Sequence, residues 1–395
     1  MIRYPLASST WDESERTAVE KVLDSGMYTM GRYTSQFEVE FSGYVGNKFG
    51  IMVNSGSSAN LLAVAALFYK KNGALKAGNE VIVPAVSWAT TYYPLYQYGL
   101  KLKFVDIDRH TLNYDLVALK EAVTEHTRMI MIVNLLGNPN DFHSIKQIVG
   151  NRNIVLLEDN CESLGAEYDG KQTGTFGVMG TFSFFFSHHM STMEGGMITT
   201  DDEELYHILL SLRAHGWTRN LPRENHVCGT KSDDPFDESY HFVLPGYNVR
   251  PMEINSAIGL EQLNKLPEFL RVRRENAALF QHRLKDHPLF MIQKEIGMSS
   301  WFGFSLLLKS EAPFDRKKVI THLQQNGIEC RPIVAGNFTR NEVVKRFDYE
   351  IHGNIENAEY IHRHGFFVGN HHYDINEQIS GLCRVLNQLE QGGSS

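Results

Sequence analysis

The chain reads as an α/β protein in which helices flank a large, mostly parallel sheet and a smaller α/β domain follows at the C-terminal end. Three observations predict this. From residue 49 to residue 200, short apolar runs alternate with amphipathic stretches, the pattern of strand–helix–strand units joined in parallel. Polar clusters follow several of these runs, which gathers them along the rim where open α/β sheets bind ligands. At 395 residues the chain also exceeds most single domains, so a second, smaller unit is expected.

The elements follow in order. Residues 51–53, 81–83, 102–105, 129–133 and 154–157 are short apolar runs and read as buried strands. Residues 59–69, 116–123 and 142–149 lie between them with helical periodicity, and 203–214 reads as a further helix. A polar stretch over 220–239 reads as a long loop, of a length uncommon unless functional or mobile. Beyond Leu266-Pro267 a charged helix passes Arg273 and Arg274, and apolar strands follow near 301–308. The expected division is a large domain with an N-terminal arm over 1–265, a small domain over 266–390, and a flexible tail over 391–395 ending in Gly392-Gly393-Ser394-Ser395. The sequence shows no internal repeat or low-complexity tract.

Composition narrows the function. A formal net charge of −8 disfavours nucleic acid or an anionic membrane as the main partner. The four cysteines, Cys161, Cys228, Cys330 and Cys383, form no CxxC pair, so neither a zinc site nor an iron–sulfur cluster is expected. Their sparseness fits a reducing cytoplasm. The opening residues lack the apolar stretch of a signal peptide, and no run approaches membrane-spanning length.

Four segments carry candidate chemistry. Asn54-Ser55-Gly56-Ser57-Ser58-Ala59-Asn60 follows a strand and opens a helix, so backbone N–H groups at Gly56 and Ser57 suit a phosphate, although an ordinary turn reads the same way. Trp88, after the next strand, is either a platform for a planar ring or a core side chain. Asp159 ends an apolar strand, where a carboxylate needs a partner: a pyridinium nitrogen, a helix to cap, or a metal. The run Thr181 to His189, with Glu194-Gly195-Gly196 after it, places Ser183 and two adjacent histidines beyond another strand.

Together GSSAN, SWATT, EDNCES, FSFFFSHH and EGG resemble, in order and spacing, the sugar aminotransferase and dehydratase group of fold-type-I pyridoxal-phosphate enzymes, over essentially the whole chain. In the aminotransferases of that group the stretch reads FSF, three residues, then Lys. Counted from Phe184, that position is His188. An imidazole forms no stable Schiff base but moves protons near neutrality, which favours elimination over delivery of an amino group.

SHH with MEGG, RAHGWTRN, LPGYNVRP and GIECRPIV are further similar to the 3-dehydratase branch of the group. That resemblance implies a hydro-lyase that removes the C3 hydroxyl of GDP-4-keto-6-deoxy-D-mannose, on the route to colitose for lipopolysaccharide O-antigen. The implied cofactor is pyridoxal 5′-phosphate, as pyridoxamine 5′-phosphate during dehydration, with L-glutamate as amino donor. It implies His188 as catalytic base and Gly56, Ser57 and Ser183 at the phosphate. Trp88 would stack on the ring, Asp159 would face the pyridine nitrogen, and Glu162 the 3-hydroxyl side. Asn248 would reach the phosphate from a second subunit of a cytoplasmic homodimer with shared sites. Gly26, Met27, Tyr28 and Thr29, with His215, Arg219, Arg250 and Glu329, would bind the sugar nucleotide, arginine suiting a diphosphate through its paired donors.

Alternatives stand beside this. One is a nucleotide-sugar aminotransferase with another lysine, Lys171 being nearest in sequence. Others are an iron–sulfur-partnered dehydratase of a CDP-sugar and a cofactor-binding protein without catalysis. A one-residue slip would make His189 the base. His371 and His372 read as solvated loop residues, and His215 with Arg219 as a possible surface pair.

Overall fold

The five apolar runs form five strands, Phe49–Val53, Glu80–Pro84, Lys101–Val105, Thr127–Val133 and Val155–Asp159, each buried over most of its length. Met179–Ser183, Gly196–Thr200 and Tyr349–Ile351 complete an eight-stranded sheet. Starting at one edge, its order by first residue is 49, 196, 179, 155, 127, 80, 101, 349. Only Gly196–Thr200 runs antiparallel to its neighbours; the other seven strands share one direction. Helices such as Gly56–Leu67 and Glu203–Arg213 pack their apolar residues on one side of the sheet, while Leu116–Ala122 and Phe142–Val149 belong to a separate cluster.

The computed structural model describes residues 3–392. Of the expected tail, Gln391 and Gly392 continue the last helix, Asn376–Gly392, and residues 393–395 lie outside the described residues.

Three local readings are corrected. The helix after the first strand begins at Gly56 rather than 59, because Ser55 caps it, its Oγ accepting from Ser58 N at 3.1 Å. The 220–239 stretch is not structureless: Glu224–Asn225 pairs with Gly229–Thr230, and Asp234 caps the short helix Pro235–Glu238. Nor does Pro267 start a new helix. Glu253–Leu284 runs for 32 residues straight through it.

Packing explains that continuity. Leu260, Leu263, Leu266 and Leu270 join a cluster with Phe37 and Phe41, whereas Ala277, Phe280 and Leu284 join the core of the C-terminal sheet. Burial along both halves offsets the ~3 kcal/mol an interior proline costs a helix. The expected boundary at 265/266 therefore falls inside one helix.

The C-terminal sheet is four-stranded and antiparallel, ordered Phe290–Ile292, Gly303–Leu308, Gly365–Gly369, Cys330–Arg331. The chain crosses between the two bodies elsewhere too. Tyr4 belongs to the C-terminal core, and Phe338, Val344 and Phe347 belong to the core of the large sheet.

Candidate active site

The parallel strands deliver their polar residues to one rim, as the fold class requires. There a cavity of about 530 Å³ opens, within the range of small-molecule sites. Gly56, Ser57, Trp88, Asp159, Glu162, Ser183 and His188 all line it. These seven are the lining residues to which the sequence reading gave a role, and they come from four different strand ends.

At one part of the wall the helix Gly56–Leu67 points its N-terminus into the cavity. Its first-turn N–H groups lack helical partners and carry partial positive charge. A Cβ on residue 56 would lie 2.5 Å from Ser183 Cβ and 3.0 Å from Cys161 Sγ. Glycine is thus required for the helix to approach Ser183 so closely. Ser57 Oγ, which donates to Thr90 Oγ1 at 3.0 Å, and Ser183 add hydroxyls to this cradle.

Asp159 is 5% exposed, and its acceptors are fixed by three donors. Asn60 Nδ2 reaches Oδ2 at 2.9 Å, Thr91 Oγ1 reaches the same oxygen at 2.8 Å, and Cys161 N reaches Oδ1 at 3.1 Å. Asn60 is itself oriented, since Thr181 Oγ1 donates to its Oδ1 at 2.6 Å. Such a set holds the carboxylate in one position, which the sequence did not indicate. Trp88 is 58% exposed at the N-terminus of the helix Ala89–Gln97, so the core reading of this residue is excluded. A large apolar ring on a cavity wall is a stacking platform.

The strand Met179–Ser183 ends before the histidine pair. Phe184 is wholly buried against Phe37 and Phe41, at 5.5 and 5.1 Å between ring centroids, and anchors the turn that follows. His188 N donates to Phe185 O at 2.9 Å, closing that turn. His188 lines the cavity, its ring 5.3 Å from that of Phe302, and its Nδ1 is shielded from solvent with no hydrogen-bond partner. Burial pushes its pKa down to about 4, so the ring is neutral near pH 7. His189 turns inward, fully buried, with Nε2 3.1 Å from Ser300 O. A carbonyl only accepts, so Nε2 carries the proton there. The slipped reading is thereby disfavoured: His189 is not a lining residue.

Glu162 accepts from Leu136 N at 3.0 Å. Burial, with the nearby Asp159 charge, pushes its carboxyl up to about 7. No lysine lines the cavity, and Lys171 sits exposed in the hairpin of Glu167–Tyr168 with Lys171–Gln172.

The remaining expected residues lie outside the cavity lining. His215 and Arg219 gather with Arg250 around Trp217, the two guanidinium carbons lying 4.4 and 6.0 Å from its ring centre and the His215 ring 4.9 Å away. Asn248 Oδ1 accepts from Arg250 Nε at 2.9 Å. The segment Gly26, Met27, Tyr28 and Thr29 reaches the same chain region through the bridge between Thr29 and Met252. Glu329 is exposed and accepts from Leu6 N at 3.1 Å. The cavity also contains Glu194 of the EGG segment and residues that the sequence did not single out, notably Leu6, Ala7, Phe302 and Arg331. Arg331 lay within the GIECRPIV segment, and its charge beside an apolar strand was the available signal.

His371 is not solvated, and His372 is half-buried. His371 is 1% exposed, and burial pushes both pKa values down to about 4.

The lining fits pyridoxal phosphate. A glycine-gated helix N-terminus suits the phosphate, an exposed indole the ring, and a fixed buried carboxylate the ring nitrogen, while an unpartnered imidazole remains free. Fold and site define a vitamin-B6-dependent enzyme of the sugar-modifying kind. Residues 9–386 match the DegT/DnrJ/EryC1/StrS aminotransferase family, and the chain belongs to it.

Among its relatives, the GDP-4-keto-6-deoxy-D-mannose 3-dehydratase of Escherichia coli O55:H7 is 60% identical, the match covering 98% of this chain and 100% of that one. A solved structure of the E. coli GDP-4-keto-6-deoxy-D-mannose-3-dehydratase with bound hydrated PLP superposes with a TM-score of 0.97 at 60% identity, over 98% of this chain and 100% of the other. A structure of GDP-4-keto-6-deoxymannose-3-dehydratase with a trapped PLP-glutamate geminal diamine gives 0.96 at 59%, over 97% and 100%.

Proposed function

We propose that this chain catalyses the pyridoxal-phosphate-dependent C3 dehydration of GDP-4-keto-6-deoxy-D-mannose with glutamate as amino donor. The observation that carries this reading is His188, at the family's lysine position, in a cavity that no lysine lines. Pyridoxal phosphate held by Gly56, Ser57, Ser183, Trp88 and Asp159 would supply an electron sink and a carrier for the glutamate nitrogen. Overall the sugar loses its C3 oxygen, glutamate becomes 2-oxoglutarate, and the nitrogen leaves as ammonia. The two electrons that reduce C3 come from glutamate, so no further reductant is needed.

The side chains divide the work. Gly56, Ser57 and Ser183 hold the phosphate, Trp88 covers one ring face, and Asp159 keeps the ring nitrogen protonated. Glu162 faces the 3-hydroxyl side. His188, neutral and unpartnered at Nδ1, takes the proton whose loss precedes departure of the C3 hydroxyl and exchanges protons again as the product forms. An imidazole there forms no lasting tether, so the amino group is not retained as an aminotransferase would retain it.

The cluster of His215, Arg219, Asn248 and Arg250 completes the site of a second subunit, which makes a homodimer with shared sites the working unit. Its position outside its own cavity supports this, as does the exposure of Tyr28, Phe242 and Met252 nearby, each above 50%. A cytoplasmic setting rests on the sparse, unpaired cysteines; among the described residues no helix is long and apolar enough to cross a membrane.

The test offers GDP-4-keto-6-deoxymannose and glutamate to the cofactor-loaded protein. Loss of one sugar oxygen by mass spectrometry with stoichiometric 2-oxoglutarate is expected. An aminated sugar would overturn the reading in favour of an aminotransferase, and no turnover of glutamate would leave a binding protein.

A further inference from the structure

The N-terminal arm crosses the C-terminal sheet before the first helix and sets two side chains, Leu6 and Ala7, into the cavity wall. Its attachment is dense. Tyr4 N donates to Gly327 O at 3.0 Å, and Glu329 N donates to Tyr4 O at 2.9 Å. Tyr4 Oη donates to Gly369 O at 2.7 Å, and Leu6 N to a Glu329 carboxylate oxygen at 3.1 Å. A Cβ on residue 369 would lie 2.4 Å from Leu6 O and 2.6 Å from Pro5 O, so only glycine lets the arm lie this close.

His371 spans the arm with both ring nitrogens. Nε2 lies 2.9 Å from Pro5 O and Nδ1 2.8 Å from Ser8 Oγ. Because a carbonyl only accepts, Nε2 carries the proton and Nδ1 accepts from the hydroxyl, which uses the neutral ring fully. The ring is stacked on Tyr373 at 5.0 Å between centroids. Leu6 and Ala7 are thus bracketed between two residues held by one side chain. The cofactor-facing groups come from the large sheet, whereas Leu6 and Ala7 share the opposite contribution to the lining with Arg331 and Phe367 of the C-terminal sheet.

We propose that His371 is a positioning residue for the sugar-nucleotide step: by tying Pro5 and Ser8 it fixes Leu6 and Ala7 as part of the wall that seats the keto sugar. This rests on the dehydratase reading above. Glutamate, a small substrate, needs that wall less than a sugar nucleotide does.

The experiment compares wild type with Ser8→Ala, His371→Phe and His371→Gln. It reads amide exchange over residues 4–8, single-turnover conversion of glutamate to 2-oxoglutarate, and KM for GDP-4-keto-6-deoxymannose. His371→Phe is expected to speed exchange at the Leu6 amide and to raise that KM by about fivefold or more, the equivalent of one ordinary hydrogen bond. The glutamate step should stay within about twofold by the same measure. His371→Gln, whose amide can donate to Pro5 O as Nε2 does, should recover most of the loss. Faster exchange with an unchanged KM overturns the seating role, and unchanged exchange overturns the hold on the arm. Equal losses in both half-reactions without rescue by Gln reduce His371 to a structural part. Should His371→Phe not fold, Ser8→Ala breaks one of the same bonds at a partly exposed residue. A wild type that consumes no keto sugar sinks the dehydratase reading and the seating role with it, while the exchange data still report whether His371 holds the arm.

Discussion

The rings of His188 and Phe302 meet at 5.3 Å with planes 68° apart, so a residue of the C-terminal body packs edge-on against an imidazole carried by the large sheet. The contact keeps the ring in the cavity without offering it a hydrogen bond, and Nδ1 stays unpartnered.

Replacing His188 by Asn is therefore expected to remove the proton carrier and leave the cofactor's holders in place. Turnover should fall by about 10²–10⁴-fold or more, with cofactor absorbance retained after desalting. His188→Lys should instead become trappable by borohydride and stop releasing dehydrated sugar. Full activity in the Asn variant would remove His188 from its role.

The cradle makes a steric prediction. Gly56→Ala should weaken cofactor binding at least tenfold, about 1.4 kcal/mol, in an absorbance titration. Because the tightest contact is with Ser183 Cβ at 2.5 Å and the next with its Oγ at 2.9 Å, Ser183→Gly should relieve the packing of the helix more than Ser183→Ala does. Equal affinity of Gly56→Ala and wild type would mean the helix shifts freely.

Glu162 and His188 bear on stability in opposite pH windows. The Glu162 pKa is raised by burial to about 7, so the folded apoprotein holds a proton that the unfolded chain has released, and stability is lost as pH rises from the ordinary carboxyl range through 7. His188 is depressed to about 4; the unfolded chain binds the extra proton, and stability is lost as pH falls from about 6.5. Glu162→Gln should flatten the alkaline limb by about 1–3 kcal/mol, read as a smaller drop in Tm between pH 5 and pH 8. An unchanged limb would show that Glu162 is ionised without penalty.

The proposed sharing of sites between two subunits makes a complementation prediction. Mixing inactive His188→Asn protein with inactive Asn248→Ala, Arg250→Ala protein under subunit exchange should restore turnover, since a mixed dimer contains one intact site. Failure to recover, with exchange demonstrated, would place the Trp217 cluster outside the working site.

The sheet and half of the site were legible because both rest on local chemistry. Period and strand-end polarity gave five strands and pointed to Gly56, Ser57, Trp88 and Asp159, while the family resemblance added Glu162 and Ser183 and set His188 in the lysine's place. What escaped notice depended on distant packing. Pro267 signals a break, yet leucines on one half of the helix and Phe280 on the other keep it continuous. The adjacent pair His371-His372 looked solvated because nothing local announces that residues 4–8 fold over it. Asn60 and Thr91 gave no sign that they steady Asp159, being 99 and 68 residues away along the chain.

The 32-residue helix Glu253–Leu284 acts as a splint between the two bodies. With its two halves embedded in different cores, it leaves little room for a hinge at their junction. Tyr349–Ile351, stitched to the rim of the large sheet by register with residues 102–104, adds a second brace. A bulky substrate is then expected to enter and leave by way of short surface segments rather than by a hinge between the two bodies.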